Sequence, residues 1–201
     1  MTLSRWLPLA ATLLLGACSP DDLSKVLASS MASDTNAFAA MKQVALIQFM
    51  SVNDRGSFSR TLAGLGSEST DNIKAVAAAQ ASGKSYKGHL FTDIVNDEQG
   101  SALDNQTRYG LLATPEGKGG KAFLLLMDLQ KTSPINDSDE GKNLARSSGE
   151  EIQYYESTEP KSVDTKWPSS AELARWNRIK MRTPEEGLKA AQQVKKNFDE
   201  R

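Results

Sequence analysis

The segment that most constrains the fold is residues 122–129, which are apolar at almost every position. A run of this length and composition predicts a strand that is buried on both faces. A glycine-rich stretch at 115–121 precedes it, and residues 108–114 on the far side of that stretch form a second strand-like segment. Because strands joined by so short a turn run antiparallel, the sequence predicts an antiparallel sheet with 122–129 at its centre.

Two more segments extend the predicted sheet. Residues 85–95 alternate aromatic, polar and β-branched side chains, as half-buried strands do. Residues 151–156 predict a fourth strand, and the polar stretch 130–149 before it predicts a long surface loop. The order of these segments along the chain favours a meander.

A long helix is predicted on the N-terminal side of the sheet, at 35–51. Apolar side chains recur there at helical spacing, as at Phe38, Met41 and Phe49. They give the helix one strongly apolar side, which needs a sheet to cover it. Side chains suited to an N-cap precede it at 33–35.

Shorter helices are predicted on either side of the sheet. Segments 59–65 and 72–82 predict two of them, and Gly83 ends the second. Capping boxes at 169–172 and 183–186 predict two more near the C-terminus. The predicted fold class is therefore α+β, with a long N-terminal helix packed on a small antiparallel sheet and a helical C-terminal extension.

The N-terminus has the layout of a secretory signal peptide. Arg5 is followed by an apolar stretch at 6–15, which is too short for a permanent membrane span, and then by small residues. The tetrapeptide Leu15-Gly16-Ala17-Cys18 resembles the lipobox of bacterial lipoproteins. The resemblance implies cleavage before Cys18 and lipidation of that residue, and an ordinary secretory signal with an incidental cysteine is the alternative.

This resemblance divides the chain into a signal peptide at 1–17, a flexible lipidated tether at 18–32, an α+β domain at 33–166 and a helical extension at 167–201. Ser19 follows the cysteine. By the sorting rule of enteric lipoproteins, the absence of aspartate there implies delivery to the periplasmic side of the outer membrane.

Charge and cysteine content exclude several classes of function. Without residues 1–17, whose only charged side chain is Arg5, 23 of the 24 basic and all 25 acidic side chains remain. This balance argues against nucleic acid as a partner and against a polybasic membrane contact. Acylation of Cys18, the only cysteine, leaves no thiol for a disulfide, a zinc site or a nucleophile.

The globular part resembles type IV pilin-like and pseudopilin-like bacterial proteins. The similar segments are Gly56-Ser57-Phe58-Ser59, Leu62-Ala63-Gly64-Leu65-Gly66, Ser85-Tyr86-Lys87-Gly88-His89-Leu90-Phe91, Tyr109-Gly110-Leu111-Leu112-Ala113-Thr114-Pro115, Gly119-Gly120 and Phe123. Their order matches a pilin helix, its following loop, and a strand and hairpin. The resemblance implies a pilin-like fold, and an uncharacterised family of secreted bacterial proteins shares the same hairpin pattern.

One departure from pilins matters for function. Pilins carry a Gly-Phe processing site and an early glutamate in a membrane-embedded helix, and this sequence has neither. We therefore do not expect assembly into a pilus by the normal route, since a fold alone does not carry a function.

His89, the only histidine, is the one candidate for acid–base chemistry. Ser-His-Asp catalysis needs a serine and an acid close to it in space. Asp93 lies four residues on, but no Gly-x-Ser-x-Gly motif is present. A packed or surface histidine is the simpler interpretation.

Four other features suggest a binding site but also have a structural explanation. The segment 83–85 mimics the end of a phosphate-binding loop but fits a helix C-cap better, and 117–121 fits a hairpin turn better than an anion site. The acidic stretch 136–141 has a composition that suits calcium without the EF-hand spacing. A group of late aromatic side chains suits either core packing or a ligand surface: Tyr154, Tyr155, Trp167 and Trp176.

The sequence thus predicts a non-enzymatic, lipid-anchored cell-envelope protein that serves as a structural or interaction module. No cofactor, metal or nucleic acid is expected. The alternative is a lipoprotein that binds a cell-wall fragment, a sugar or a cation in a concave site, lined by the late aromatic residues or by 136–141. A hydrolase that uses His89 is a third hypothesis.

Overall fold

The computed structural model describes residues 20–68, 70–117, 119–131, 151–159 and 165–180. The helices and strands are, in chain order, α1 (Pro20–Arg55), a 3-10 helix (Leu62–Glu68), α2 (Asp71–Ala81), β1 (His89–Ile94), β2 (Arg108–Pro115), β3 (Ala122–Asp128), a 3-10 turn (Leu129–Lys131), β4 (Ile152–Ser157), α3 (Ser170–Leu173) and β5 (Asn177–Ile179).

The five strands form one antiparallel sheet in the order β1-β2-β3-β4-β5. Every residue of β3 is buried, because this central strand is covered on both faces. The α+β class, the meander and the central position of 122–129 are therefore confirmed.

One face of the sheet packs against α1. The helix contributes Ala37, Met41 and Val44 to this core, all 1% exposed or less. Alternate residues of the central strands, such as Leu111 and Leu125, face them. The apolar helix side that the sequence predicted is therefore buried on the sheet, and burial of this kind is the main force holding a fold together.

The opposite face of the sheet is covered by irregular chain. Leu103, Trp167 and Trp176 pack there against alternate residues of β2, β3 and β4. Main-chain hydrogen bonds hold this cover in place, since the N–H of Trp167 donates to Asn96 O at 2.8 Å. Core packing of the two tryptophans is therefore the correct interpretation.

Two predictions about helices are wrong. α1 begins at Pro20, well before the predicted start at 35, so the expected N-cap residues at 33–35 lie inside the helix. Proline suits this start because its fixed φ fits the first helical turn. The short helix predicted at 59–65 is instead the 3-10 helix Leu62–Glu68.

The predicted C-terminal helices also differ from the structure. The capping box at Ser169 is present, but α3 is a single turn and β5 follows it where the sequence predicted helix. Trp176 is buried between them, and β5 then pairs with β4 through Tyr154 and Ile179. This pairing covers the edge that β4 would otherwise expose, and the helix predicted after 183 lies outside the described residues.

Candidate functional site

The only histidine connects α1 to the sheet. His89 has no exposed surface, and its Nδ1 atom lies 2.9 Å from the Ser33 hydroxyl oxygen. Its Nε2 atom lies 2.9 Å from the Lys121 carbonyl oxygen and 3.6 Å from a carboxylate oxygen of Asp34. The Lys121 N–H donates to that same carboxylate at 3.0 Å. We call Ser33, Asp34, His89 and Lys121 the His89 clamp, because it joins α1, β1 and the start of β3.

The hydrogen bonds of the His89 clamp restrict where the ring protons lie. The Lys121 carbonyl can only accept, so Nε2 carries a proton. In a neutral ring Nδ1 therefore accepts from the Ser33 hydroxyl. In a charged ring Nδ1 donates to Ser33, whose hydroxyl then donates to the Lys87 carbonyl at 2.7 Å. Either arrangement satisfies both ring nitrogens, as a fully buried polar side chain requires.

A glycine makes room for the clamp. Gly88 has φ +86°, and a Cβ atom built on it would lie 2.6 Å from the Ser33 hydroxyl oxygen. Only glycine combines this backbone conformation with this close approach at little cost. The turn before β1 can therefore approach α1 closely enough to place His89 beneath the helix.

A groove of about 740 Å³ opens beside the clamp. We call it the hydroxyl groove. One wall is a face of α1 that carries Ser29, Ser30, Ser33 and Asn36, and the other wall consists of the turn before β1 and the turn between β2 and β3. Ser30 donates to the Gly119 carbonyl at 3.0 Å, which ties the two walls together.

The hydroxyl groove carries little net charge. Lys87 and Glu116 are the charged side chains on its described lining, and the Glu116 carboxylate accepts a hydrogen bond from Ser85. Hydroxyls, an amide and main-chain groups of the glycine-rich turn supply the remaining polarity. A lining of this kind suits a neutral polar ligand.

The structure brings a serine and an acid to His89, but they are not the ones that the sequence suggested. Ser33 is 56 residues away in the chain, and Asp34 follows it on α1. Ser33 lines the groove, whereas every atom of the His89 ring is buried beneath it. A molecule in the groove reaches the serine hydroxyl and no atom of the histidine.

Asp93, the acid that the sequence placed near His89, belongs to a different network. Its carboxylate accepts hydrogen bonds from the Gln80 amide at 2.9 Å, from the Tyr109 hydroxyl at 3.2 Å and from the Leu62 N–H at 3.2 Å. Burial raises the pKa of Asp93, and these hydrogen bonds oppose part of that rise. The carboxylate ties β1 to α2 and to the 3-10 helix.

The remaining sequence candidates divide into three groups. Gly83 ends α2 with φ +65°, which confirms the helix C-cap, and the described residues of 117–121 lie in the β2–β3 turn that walls the groove. Cys18 and 136–141 lie outside the described residues. The late aromatic residues are buried, with the Tyr154 ring 5.4 Å from that of Phe38, so the expectation that they line a concave ligand site is wrong.

Sequence reasoning missed the hydroxyl groove as a site. Ser29, Ser33 and Asn36 share one face of α1 by helical spacing. That spacing was detectable, but nothing in the sequence placed the β2–β3 turn opposite them. Among the residues that the structure describes, no group of histidine, cysteine and acidic side chains is arranged to hold a metal ion.

The structure defines the class of this protein at the level of the fold: a pilin-like α+β arrangement, in which a long N-terminal helix packs on an antiparallel sheet. The chain matches no family model, and no curated protein or solved structure is significantly similar to it. Within the described ranges, none of the helices has the length and apolar character needed to cross a membrane.

Proposed function

We propose that this protein is a lipid-anchored cell-envelope protein whose domain binds a partner and catalyses no reaction. The lipobox-like segment that ends at Cys18 supports the anchor, and Ser19 supports the periplasmic side of the outer membrane. Lipid then holds the domain at the membrane surface. The observation that carries the binding function is the hydroxyl groove.

The groove favours a small, neutral, hydroxyl-rich partner such as a sugar or a cell-wall fragment. Its volume of about 740 Å³ lies in the range of ligand sites. Ser29 and Asn36 offer donors and acceptors along one wall. A structural role, in which a protein segment occupies the groove, is the other form of this binding function.

The absence of catalysis rests on the burial of His89. A general base must lie within reach of the proton that it takes, and its conjugate acid must reach the leaving group. The ring has no exposed surface and both nitrogens have partners. We therefore assign His89 a structural role. Its contacts with Ser33, Asp34 and Lys121 hold α1 on the sheet.

Binding is tested by thermal unfolding of the full-length lipoprotein in detergent, with sugars and soluble peptidoglycan fragments as probes. A ligand of the native state raises the melting temperature. Ser29→Leu fills the groove and should abolish the shift, whereas Thr35→Leu, on an exposed position of the same helix, should preserve it. Cross-linking from position 29 in cells identifies a protein partner. If neither assay finds a partner in the groove, the binding function is wrong.

The catalytic alternative is tested with a fluorophosphonate probe, which reacts with activated serines. We expect no labelling of Ser33 on mass spectrometry of the digested protein. Labelling of Ser33 that His89→Ala abolishes would overturn the non-catalytic proposal.

The anchor is tested by Cys18→Ser. We expect the variant to move from the membrane to the soluble fraction, and the N-terminal peptide of the wild type to carry acyl mass. A variant that stays on the membrane, together with an unlipidated wild type, would refute the anchor without affecting the groove.

A further inference from the structure

A second cavity lies at the other end of β1 from the hydroxyl groove. It measures about 190 Å³, and we call it the arginine pocket. Its polar lining comes from Arg60, Thr61, Asn105 and Arg108, and its apolar lining comes from Ile94, Val95, Leu103 and Tyr109. Two arginine residues thus line one small cavity, and no acidic residue is part of its described lining.

Arg108 is held in place without using all of its donors. Its guanidinium lies 5.2 Å from the centre of the Trp167 ring, and its Nε atom is 3.4 Å from an Asp128 carboxylate oxygen. The buried Nε atom has no hydrogen-bond partner among the described residues. Such a donor is unusual in a folded protein, and the cation–π contact with the indole restrains the guanidinium group.

Two carboxylates, those of Asp104 and Asp128, lie near Arg108 and offset its charge. Asp104 accepts hydrogen bonds from the Thr107 hydroxyl at 2.8 Å and from the Gln106 N–H at 3.1 Å. Asp128 accepts from the Gln130 N–H at 3.1 Å. Arg60 is exposed and makes no ion pair within the described part of the chain. Arg60 is therefore the arginine of the lining whose charge has no partner among the described residues, whereas Arg108 is paired with Asp128.

We propose that the arginine pocket binds the carboxylate of a compact organic anion that has a short apolar body. A guanidinium matches the geometry of a carboxylate and binds it with charge-assisted hydrogen bonds. The volume of 190 Å³ holds about six water-sized groups at ~30 Å³ each. Ile94, Val95 and Leu103 would contact the apolar body.

Two sources share this chemistry. One is a free short-chain carboxylic acid, and the other is the C-terminal carboxylate of a peptide that ends in a small side chain. Both place one carboxylate between Arg60 and Arg108 and a few carbon atoms against the apolar wall. This site is separate from the hydroxyl groove and does not rest on the function proposed for it.

The test is a calorimetric titration of the full-length lipoprotein in detergent. Isovalerate and the dipeptide Ala-Ala are the two probes, and isovaleramide and Ala-Ala amide are their neutral counterparts. We expect at least one acid to bind and both amides to fail. The acid that binds identifies the source, and a dipeptide that binds alone indicates a peptide C-terminus.

Two variants locate the binding. Arg60→Gln should weaken it about tenfold, as expected for the loss of a charge-assisted contact. Val95→Phe should block the cavity while leaving both charges in place. Arg175→Gln, at an exposed position just after α3, is the matched control and should bind as the wild type does.

The proposal is overturned if no acid binds, if the amides bind as well as the acids, or if neither pocket variant weakens binding. Ser29→Leu should leave anion binding unchanged, because it alters only the hydroxyl groove. A failure of one site is therefore distinguishable from a failure of the other.

Discussion

The Ser33 hydroxyl should be the most important polar group that holds α1 on the sheet. Its oxygen lies 2.7 Å from the Lys87 carbonyl oxygen and 2.9 Å from Nδ1 of His89. Ser33→Ala removes both contacts. Lys87 is exposed, so its carbonyl can bond to water instead, whereas His89 has no exposed surface and its Nδ1 atom would lose its partner.

The magnitude follows from that loss. A buried polar atom without a partner costs about 1–3 kcal/mol, and we expect Ser33→Ala to lower the free energy of unfolding by about 2 kcal/mol. For a domain of this size the melting temperature would fall by about 4–8 °C. Ser29→Ala, one turn earlier on the same exposed helix face, should change the free energy by less than about 0.5 kcal/mol.

Urea unfolding followed by circular dichroism measures both variants. A double-mutant cycle with His89→Ala then isolates the Ser33–His89 term, and contacting residues show coupling energies of about 0.5–3 kcal/mol. If Ser33→Ala costs no more than Ser29→Ala, or if the cycle is additive, the His89 clamp does not hold the helix as described.

Three further predictions concern other parts of the fold. Burial raises the pKa of Asp93 above its ordinary value of 3.8, so the stability that this group contributes is complete below pH 3.8 and is lost as pH rises through the folded-state pKa. Asp93→Asn should therefore destabilise the protein less at higher pH than at low pH. Urea unfolding of both proteins from about pH 3 upward would refute this if the difference in stability stayed constant. Gly110→Ala would place Cβ 2.9 Å from the side chain of Ile94 and should lower the free energy of unfolding by about 1–3 kcal/mol. In the control variant Gly117→Ala, the new Cβ meets nothing within 4 Å. Equal melting temperatures for the two variants would contradict the packing around Gly110. Ser169→Ala removes the capping box of α3 and should cost about 1 kcal/mol in thermal unfolding, and an unchanged melting temperature would show that the cap does not contribute.

The sequence by itself determined the elements whose signals are local. Continuous apolar character marked β3 as the central strand, and Gly83, which has φ +65°, marked the end of α2. Such signals lie within a few residues of one another, so they survive whatever the rest of the chain does. The lipobox-like segment is local in the same way, and it predicts where the protein resides without saying what it binds.

Only the tertiary structure decided the contacts between distant segments. Residues 177–179 form a strand because β4 offers an edge and Trp176 is buried beside it, although their own pattern suits a helix. Tertiary packing overrides such weak propensities. Ser33 meets His89, and Arg60 and Arg108 line one cavity, only because α1 and the segment before the 3-10 helix pack on the sheet. Both candidate sites therefore depend on the packing between elements, which no single segment of the sequence specifies.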